Sequence, residues 1–112
     1  MSSEGLIVKE IKTDECFQVS AIGDLIITNA KGLQRHIDKA IADGMTDIIL
    51  NLTQIDYIDS FGIGVVVKTK SEIDKRKGRL KVVVNPILMT LFEKCHLDDY
   101  IDLEVGEGEE TT

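Results

Sequence analysis

The sequence predicts one small α/β domain, a mixed and partly parallel sheet packed with three to four helices. Three observations carry that expectation. Short Ile-, Leu- and Val-rich runs alternate with segments whose apolar residues recur at helical spacing. Two of the runs, 46–52 (TDIILNL) and 80–84 (LKVVV), are strongly apolar, as buried parallel strands are. A length of 112 residues suits one hydrophobic core.

The elements follow in order. Segments 6–12 and 16–22, separated by Thr13, Asp14 and Glu15, predict a β-hairpin. Gly23 and Asp24 then predict a turn. Over 30–43 the period changes: Ala30, Leu33, Ile37, Ala40 and Ile41 share one helical face, and Lys31, Gln34, Arg35, Asp38 and Lys39 take the others. Thr28 or Asn29 is placed to supply the N-cap oxygen, and Gly44 to stop the helix. The strand at 46–52 comes next.

Residues 60–77 are locally ambiguous. Val65, Val66 and Val67 favour strand by propensity, whereas Ile63, Val66, Val67 and Ile73 share a helical face. Ser60 is placed to cap that helix and Gly78 to end it, and basic residues crowd its far end, as the helix dipole prefers. A helix also supplies the crossover that parallel strands need, so helix is the expectation. After the strand at 80–84, Asn85 caps a further helix with the sole proline, Pro86, in its first turn. Its predicted apolar stripe is Ile87, Leu88, Leu91, Phe92 and Cys95. A short strand near 100–105 closes a domain of residues 1–105, and 106–112 (GEGEETT) is expected to be an acidic disordered tail.

Composition narrows the function. The chain is 43% hydrophobic and 29% charged, within the ordinary soluble range. Aromatics are limited to Phe17, Tyr57, Phe61, Phe92 and Tyr100, so the core must be mainly Ile, Leu and Val. A net charge of −7 argues against a general nucleic-acid binder, which needs a basic face to neutralise phosphates. Glu4, Lys9 and Glu10 interrupt any signal-peptide core, and the longest run without a polar residue, 61–67, is too short to span a bilayer. The expectation is a cytoplasmic protein without membrane insertion. Cys16 and Cys95 form no C-x-x-C pair and are expected to be two buried thiols. His36 has no companion at ligand spacing, so no metal site and no cofactor are expected.

The informative segment is 56–64, reading Asp56, Tyr57, Ile58, Asp59, Ser60, Phe61, Gly62, Ile63, Gly64. A strand ends, acids and a serine follow, and a helix opens on two glycines. That turn exposes a hydroxyl at a helix N-terminus, where backbone N–H groups point outward. The glycines let another backbone or a ligand come close. A plain N-cap is the simpler role for Ser60.

The stretch 59–64 (DSFGIG) resembles the D-S-x-G-[LI]-G signature of STAS domains, the family of anti-sigma-factor antagonists and sulphate-transporter tails. Gly23, Asp24 and Leu25 resemble the G-[ED]-[LI] turn before that family's first helix, and Asn29 with Ala30 resembles its helix start. Asn85 and Pro86, then Leu91 and Phe92 through to Leu97 and Asp98, resemble its third helix and closing turn. The resemblance implies a STAS-like fold and no catalytic activity. It implies that Ser60 is phosphorylated by a partner that is both anti-sigma factor and serine kinase. The unmodified protein binds that partner and frees a sigma factor, and a metal-dependent serine phosphatase resets it. Asp24, Ile26, Asp59, Phe61, Gly62 and Gly64 are the implied partner-binding residues. Two of them depart from the family pattern: Ile26 stands where an Asp is usual, and Phe61 where a small residue is usual. Both put apolar side chains where partners dock.

Other readings compete. Ser60, His96 and Asp98 offer the residue types of a hydrolase triad, but Ile58 stands where a nucleophile elbow needs its first glycine. Gly62 and Gly64 begin a G-x-G-x-x-G pattern that Val67 breaks, and Asp56 and Asp59 would repel a pyrophosphate. A STAS adaptor in a transporter or stress-signalling complex, without a phospho-switch, keeps the fold and changes the circuit. The basic cluster of Lys68, Lys70, Lys75, Arg76, Lys77, Arg79 and Lys81 reads as a solvated helix end or as a patch for an acidic partner.

Overall fold

The computed structural model describes residues 2–3 and 5–106. Six strands, β1 (Ser2–Ser3), β2 (Leu6–Lys12), β3 (Phe17–Leu25), β4 (Asp47–Ile58), β5 (Arg79–Val84) and β6 (Asp102–Val105), form one sheet in sequential order. Three helices, α1 (Ala30–Ala42), α2 (Ser60–Lys75) and α3 (Pro86–Lys94), connect the later strands. β1, β2 and β3 pair antiparallel, and β3 through β6 pair parallel. The mixed α/β architecture is therefore the expected one, with the two-residue β1 as an unforeseen edge.

β3, β4, β5 and β6 succeed one another in a single direction, so right-handed crossovers put all three helices on one face. The register aligns Val19, Leu50 and Val82 across the sheet, and all three are fully buried. Their neighbours Ser20, Asn51 and Val83 point the other way and are half-buried. The strand at 46–52 is thus covered on one face only. The core is aliphatic, with Phe17 and Phe92 as its aromatic members. Among the described residues no helix is long and apolar enough to cross a membrane.

Several local expectations are corrected. Gly23 and Asp24 do not turn the chain. β3 continues through them to Leu25, with register shifts at Ser20/Ile22 and at Gly23/Asp24. Gly23, at φ 117°, serves a bulge, and a Cβ there would collide with the Gly5 carbonyl oxygen. β4 does not stop at 52 but runs to Ile58, beyond the end of β5, where its polar residues meet solvent. Asn29 is the N-cap residue of α1, but only its carbonyl bonds the helix, accepting from the Gly32 and Leu33 N–H groups, and its side chain makes no cap bond. Gln34, assigned to the polar side, is buried, its Nε2 donating to Asp38 Oδ1 at 2.9 Å. Helix α2 buries Val65, Val66, Thr69 and Ile73, while Ile63 and Val67 are only half-buried. It ends at Lys75, and Lys77 (φ 58°) takes the left-handed position after it. On α3 the buried stripe is Leu88 and Phe92; Ile87 is 78% exposed and Cys95 is exposed. Cys95 is therefore no buried thiol. Cys16 is half-buried, and burial pushes its thiol pKa up, with Asp47 adding to the shift. The backbone ladder extends past the expected boundary, because the Gly106 N–H donates to the Val84 carbonyl at 2.9 Å. The rest of the expected tail lies outside the described residues.

One buried group is unsatisfied. Thr69, in the middle of α2, is fully buried, and its hydroxyl has no hydrogen-bond partner among the described residues. Thr69→Val removes that cost at nearly constant shape. It should stabilise the domain by about 1 kcal/mol, a rise of about 4–8 °C in Tm. A lower Tm would refute this account of the site.

Candidate functional site

The junction between β4 and α2 lies beside the turn between β3 and α1. β4 outruns β5, pairing with it only as far as Leu52 and Val84, but stays paired with β3 up to Leu25 and Ile58. Both loops therefore emerge together at the C-terminal end of the parallel strands, where open α/β sheets place their sites.

Asp59 organises the junction. Its Oδ1 accepts from the Phe61 and Gly62 N–H groups at 2.9 and 3.1 Å, capping α2. Its Oδ2 accepts from the Ile27 N–H at 2.9 Å, and its own N–H donates to the Leu25 carbonyl at 3.2 Å. One carboxylate thus caps a helix and ties down the neighbouring turn. The cap is Asp59, not Ser60. Ser60 is the first residue of α2 and is exposed, and no other described group hydrogen-bonds its hydroxyl. Removing the carboxylate by Asp59→Ala should cost about 1–3 kcal/mol, the loss of a cap plus a charged hydrogen bond. A urea midpoint equal to wild type would contradict this role.

The neighbouring turn has its own brace. Asn29 is buried; its Oδ1 accepts from the Ile26 N–H at 3.0 Å and its Nδ2 donates to the Asp24 carbonyl at 2.9 Å. Asp24 is exposed, and Ile26 is half-buried with its carbonyl accepting from the Asn29 and Ala30 N–H groups. The outward apolar side chain of this turn belongs to Ile27, 57% exposed. Phe61 (55%) and Tyr57 (60%) are exposed in the adjacent junction. Ile27 and Tyr57 were missed as candidates. Tyr57 lay within the motif, but its facing depends on the register of β4 against β3.

The two glycines differ. Gly62 is buried, and a Cβ on it would stand 2.6 Å from the Leu25 carbonyl oxygen, 2.6 Å from Ile58 Cγ1 and 2.8 Å from Leu25 Cγ. The backbone that Gly62 admits is its own chain's, not a partner's or a ligand's. A Cβ on Gly64 would meet nothing within 4 Å, so that position is open.

The rival chemistries find little support. His96 follows the C-terminal end of α3, whereas Ser60 opens α2, so parallel crossover helices carry them to opposite ends of the helical layer. The crowding at Gly62 leaves no cradle for a phosphate there. Among the described residues no three His, Cys, Asp or Glu side chains are grouped so as to hold a metal ion. Much of the basic cluster is engaged in exposed ion pairs: Lys70 with Asp74, Lys75 with Glu72, Arg79 with Asp47 and Lys81 with Glu104.

The sequence model of the STAS domain matches residues 8–110. The chain belongs to the STAS domain family. A protein of Staphylococcus aureus named anti-sigma-B factor antagonist is 28% identical to this STAS domain over 106 residues, 94% of this chain and 96% of that one. An anti-sigma factor antagonist from Mycobacterium paratuberculosis superposes with a TM-score of 0.81 at 21% identity, covering 93% of this chain and 90% of its own. The Bacillus cell fate determinant SpoIIAA, in a structure described as its phosphorylated form, gives 0.73 at 22% identity, covering 90% and 92%. Within this STAS domain the D-S-x-G motif is the capped junction itself: Asp59 the cap, Ser60 the exposed hydroxyl, Gly62 the close contact.

Proposed function

We propose that this STAS domain is a cytoplasmic, non-catalytic anti-sigma-factor antagonist. Unmodified Ser60 and its surroundings bind an anti-sigma factor with serine-kinase activity; phosphorylation of Ser60 releases that partner, and a serine phosphatase restores binding. The observation that carries the reading is the exposed Ser60 hydroxyl, spared from capping by Asp59 and flanked by exposed Ile27, Tyr57 and Phe61. The antagonist names of the S. aureus and M. paratuberculosis proteins support it.

The test is capture followed by labelling. Ser60→Ala, which no kinase can release, serves as bait in extract of the native host, and the captured protein is purified and supplied with ATP. It should phosphorylate wild type at Ser60 and leave Ser60→Ala unlabelled. Equal labelling of both would move the acceptor elsewhere and end the proposal. Phe61→Ala adds a second check. Its side chain is largely outside the core, so the melt should shift by no more than about 0.5 kcal/mol. Affinity for the captured kinase should fall by about 2 kcal/mol or more, as for an aromatic interface anchor. Unchanged affinity would remove Phe61 from the interface.

A further inference from the structure

α1 and α2 pack side by side, and an open groove of about 550 Å³ lies between them at the surface. Its first wall is Ile27, Ala30, Lys31 and Gln34; its second is Phe61, Gly64, Val65 and Lys68. Each wall has the spacing i, i+3, i+4, i+7. The second wall lies wholly on α2, and the first starts at Ile27 in the turn before α1, so the trough is about two helical turns long, about 10 Å at 1.5 Å per residue along α2.

The chemistry of the trough is graded. Near Ser60 it is apolar, with Ile27 and Phe61 on its rims and Ala30 and Val65 below. Farther along each wall stands a lysine. Lys39, Lys70, Lys75 and Lys81 each have a carboxylate within 4 Å. Lys31 and Lys68, like Lys9, Lys77 and Lys94, have none among the described residues, and of these only Lys31 and Lys68 line the groove, in a chain of net charge −7. Two unpaired ammonium groups bordering an apolar trough are complementary to an occupant carrying carboxylates. The open space at Gly64 lets that occupant approach closely.

We infer that this groove receives an amphipathic helix of the anti-sigma partner, its apolar stripe seated between α1 and α2 and its acidic flanks on Lys31 and Lys68. The inference rests on the reading of the Ser60 surface as partner-binding, and adds which kind of partner segment lands there.

The test uses the 15N-labelled full chain and two synthetic helical peptides, each about 14 residues or four turns long. Both carry a leucine stripe; one has glutamates on its flanks and the other lysines. Amide shift changes on adding the glutamate peptide should be confined to residues 27–34 and 61–68. That peptide should bind at least about tenfold more tightly than the lysine peptide. The double variant Lys31→Glu/Lys68→Glu should invert the preference. Gly64→Leu, which fills the groove, should lose both peptides while melting at or above the wild-type temperature, because leucine favours the helix at this open position. Equal binding of the two peptides, shifts outside the groove, no binding at all, or full binding by Gly64→Leu would each overturn the inference. No kinase or ATP enters the titration. A Ser60 that is never phosphorylated leaves its result standing, and a silent groove leaves the phospho-switch standing.

Discussion

Gly62→Ala is expected to destabilise the domain by about 1–2 kcal/mol, even though alanine is the better helix former. The added Cβ would lie 2.6 Å from the Leu25 carbonyl oxygen, a backbone atom held in β3, with Ile58 and Leu25 side chains closing the other sides. Relief requires α2 to move away from the β3 end, which breaks the Asp59 cap and its bond to the Ile27 N–H. Overpacking of this kind costs about 1–3 kcal/mol or more, and the gain in helix propensity offsets only about 1 kcal/mol. Gly64→Ala, two residues on, has open space and should stabilise by up to about 1 kcal/mol. Opposite signs in urea melts of the two variants are the expected result. If both variants stabilise, α2 does not approach β3 as closely as described.

Phosphorylation of Ser60 should leave folding nearly unchanged and weaken partner binding by about 100-fold or more, equivalent to about 2.7 kcal/mol. The phosphate adds about −1.5 to −2 charges at pH 7. At the first residue of α2 the helix dipole favours that charge by about 0.3–1 kcal/mol. The Asp59 carboxylate next to it opposes the charge by a similar amount, so the two effects largely cancel within the free protein. In the complex they do not. The surface around Ser60 is apolar, with Ile27, Tyr57 and Phe61 exposed, and a partner seated on it would strip water from the new charge. Ser60→Asp should therefore keep the wild-type circular dichroism spectrum and melt, and lose the captured kinase. A Ser60→Asp variant that binds as tightly as wild type would show that charge at this position is not the switch.

Much of this was legible in the residues. Helical spacing in 30–43 identified α1 and every apolar residue of its buried stripe, because each had one face to occupy, and missed only Gln34, whose amide is buried there. The short, strongly apolar runs located β4 and β5. The DSFGIG stretch located the junction of β4 and α2 and pointed to the family. What misled was local chemistry used for another purpose. Gly23 and Asp24 have turn composition, yet β3 passes through them on bulges. The polar residues after Leu52 read as the end of a strand, yet β4 continues, since a strand that outruns its neighbour exposes its edges to water. Ile87 and Cys95 fit the apolar pattern predicted for α3, yet Ile87 is exposed on the helix and Cys95 is exposed just past its end.

By itself, then, the sequence determined the order of elements, the aliphatic core and the serine at the head of α2, because periodicity and short motifs are local properties. Only the tertiary structure decided how the motif divides its labour. Asp59 and Ser60 both have side chains suited to capping, and the choice went to the residue whose second oxygen also reaches the Ile27 N–H. Gly62 and Gly64 are alike in sequence, and the difference between them is the Leu25 carbonyl, 37 positions earlier in the chain. The groove with Lys31 and Lys68 on its borders exists only because α1 and α2 are brought side by side by two successive crossovers. Contacts between residues far apart in the chain carry that information, and no local pattern records it.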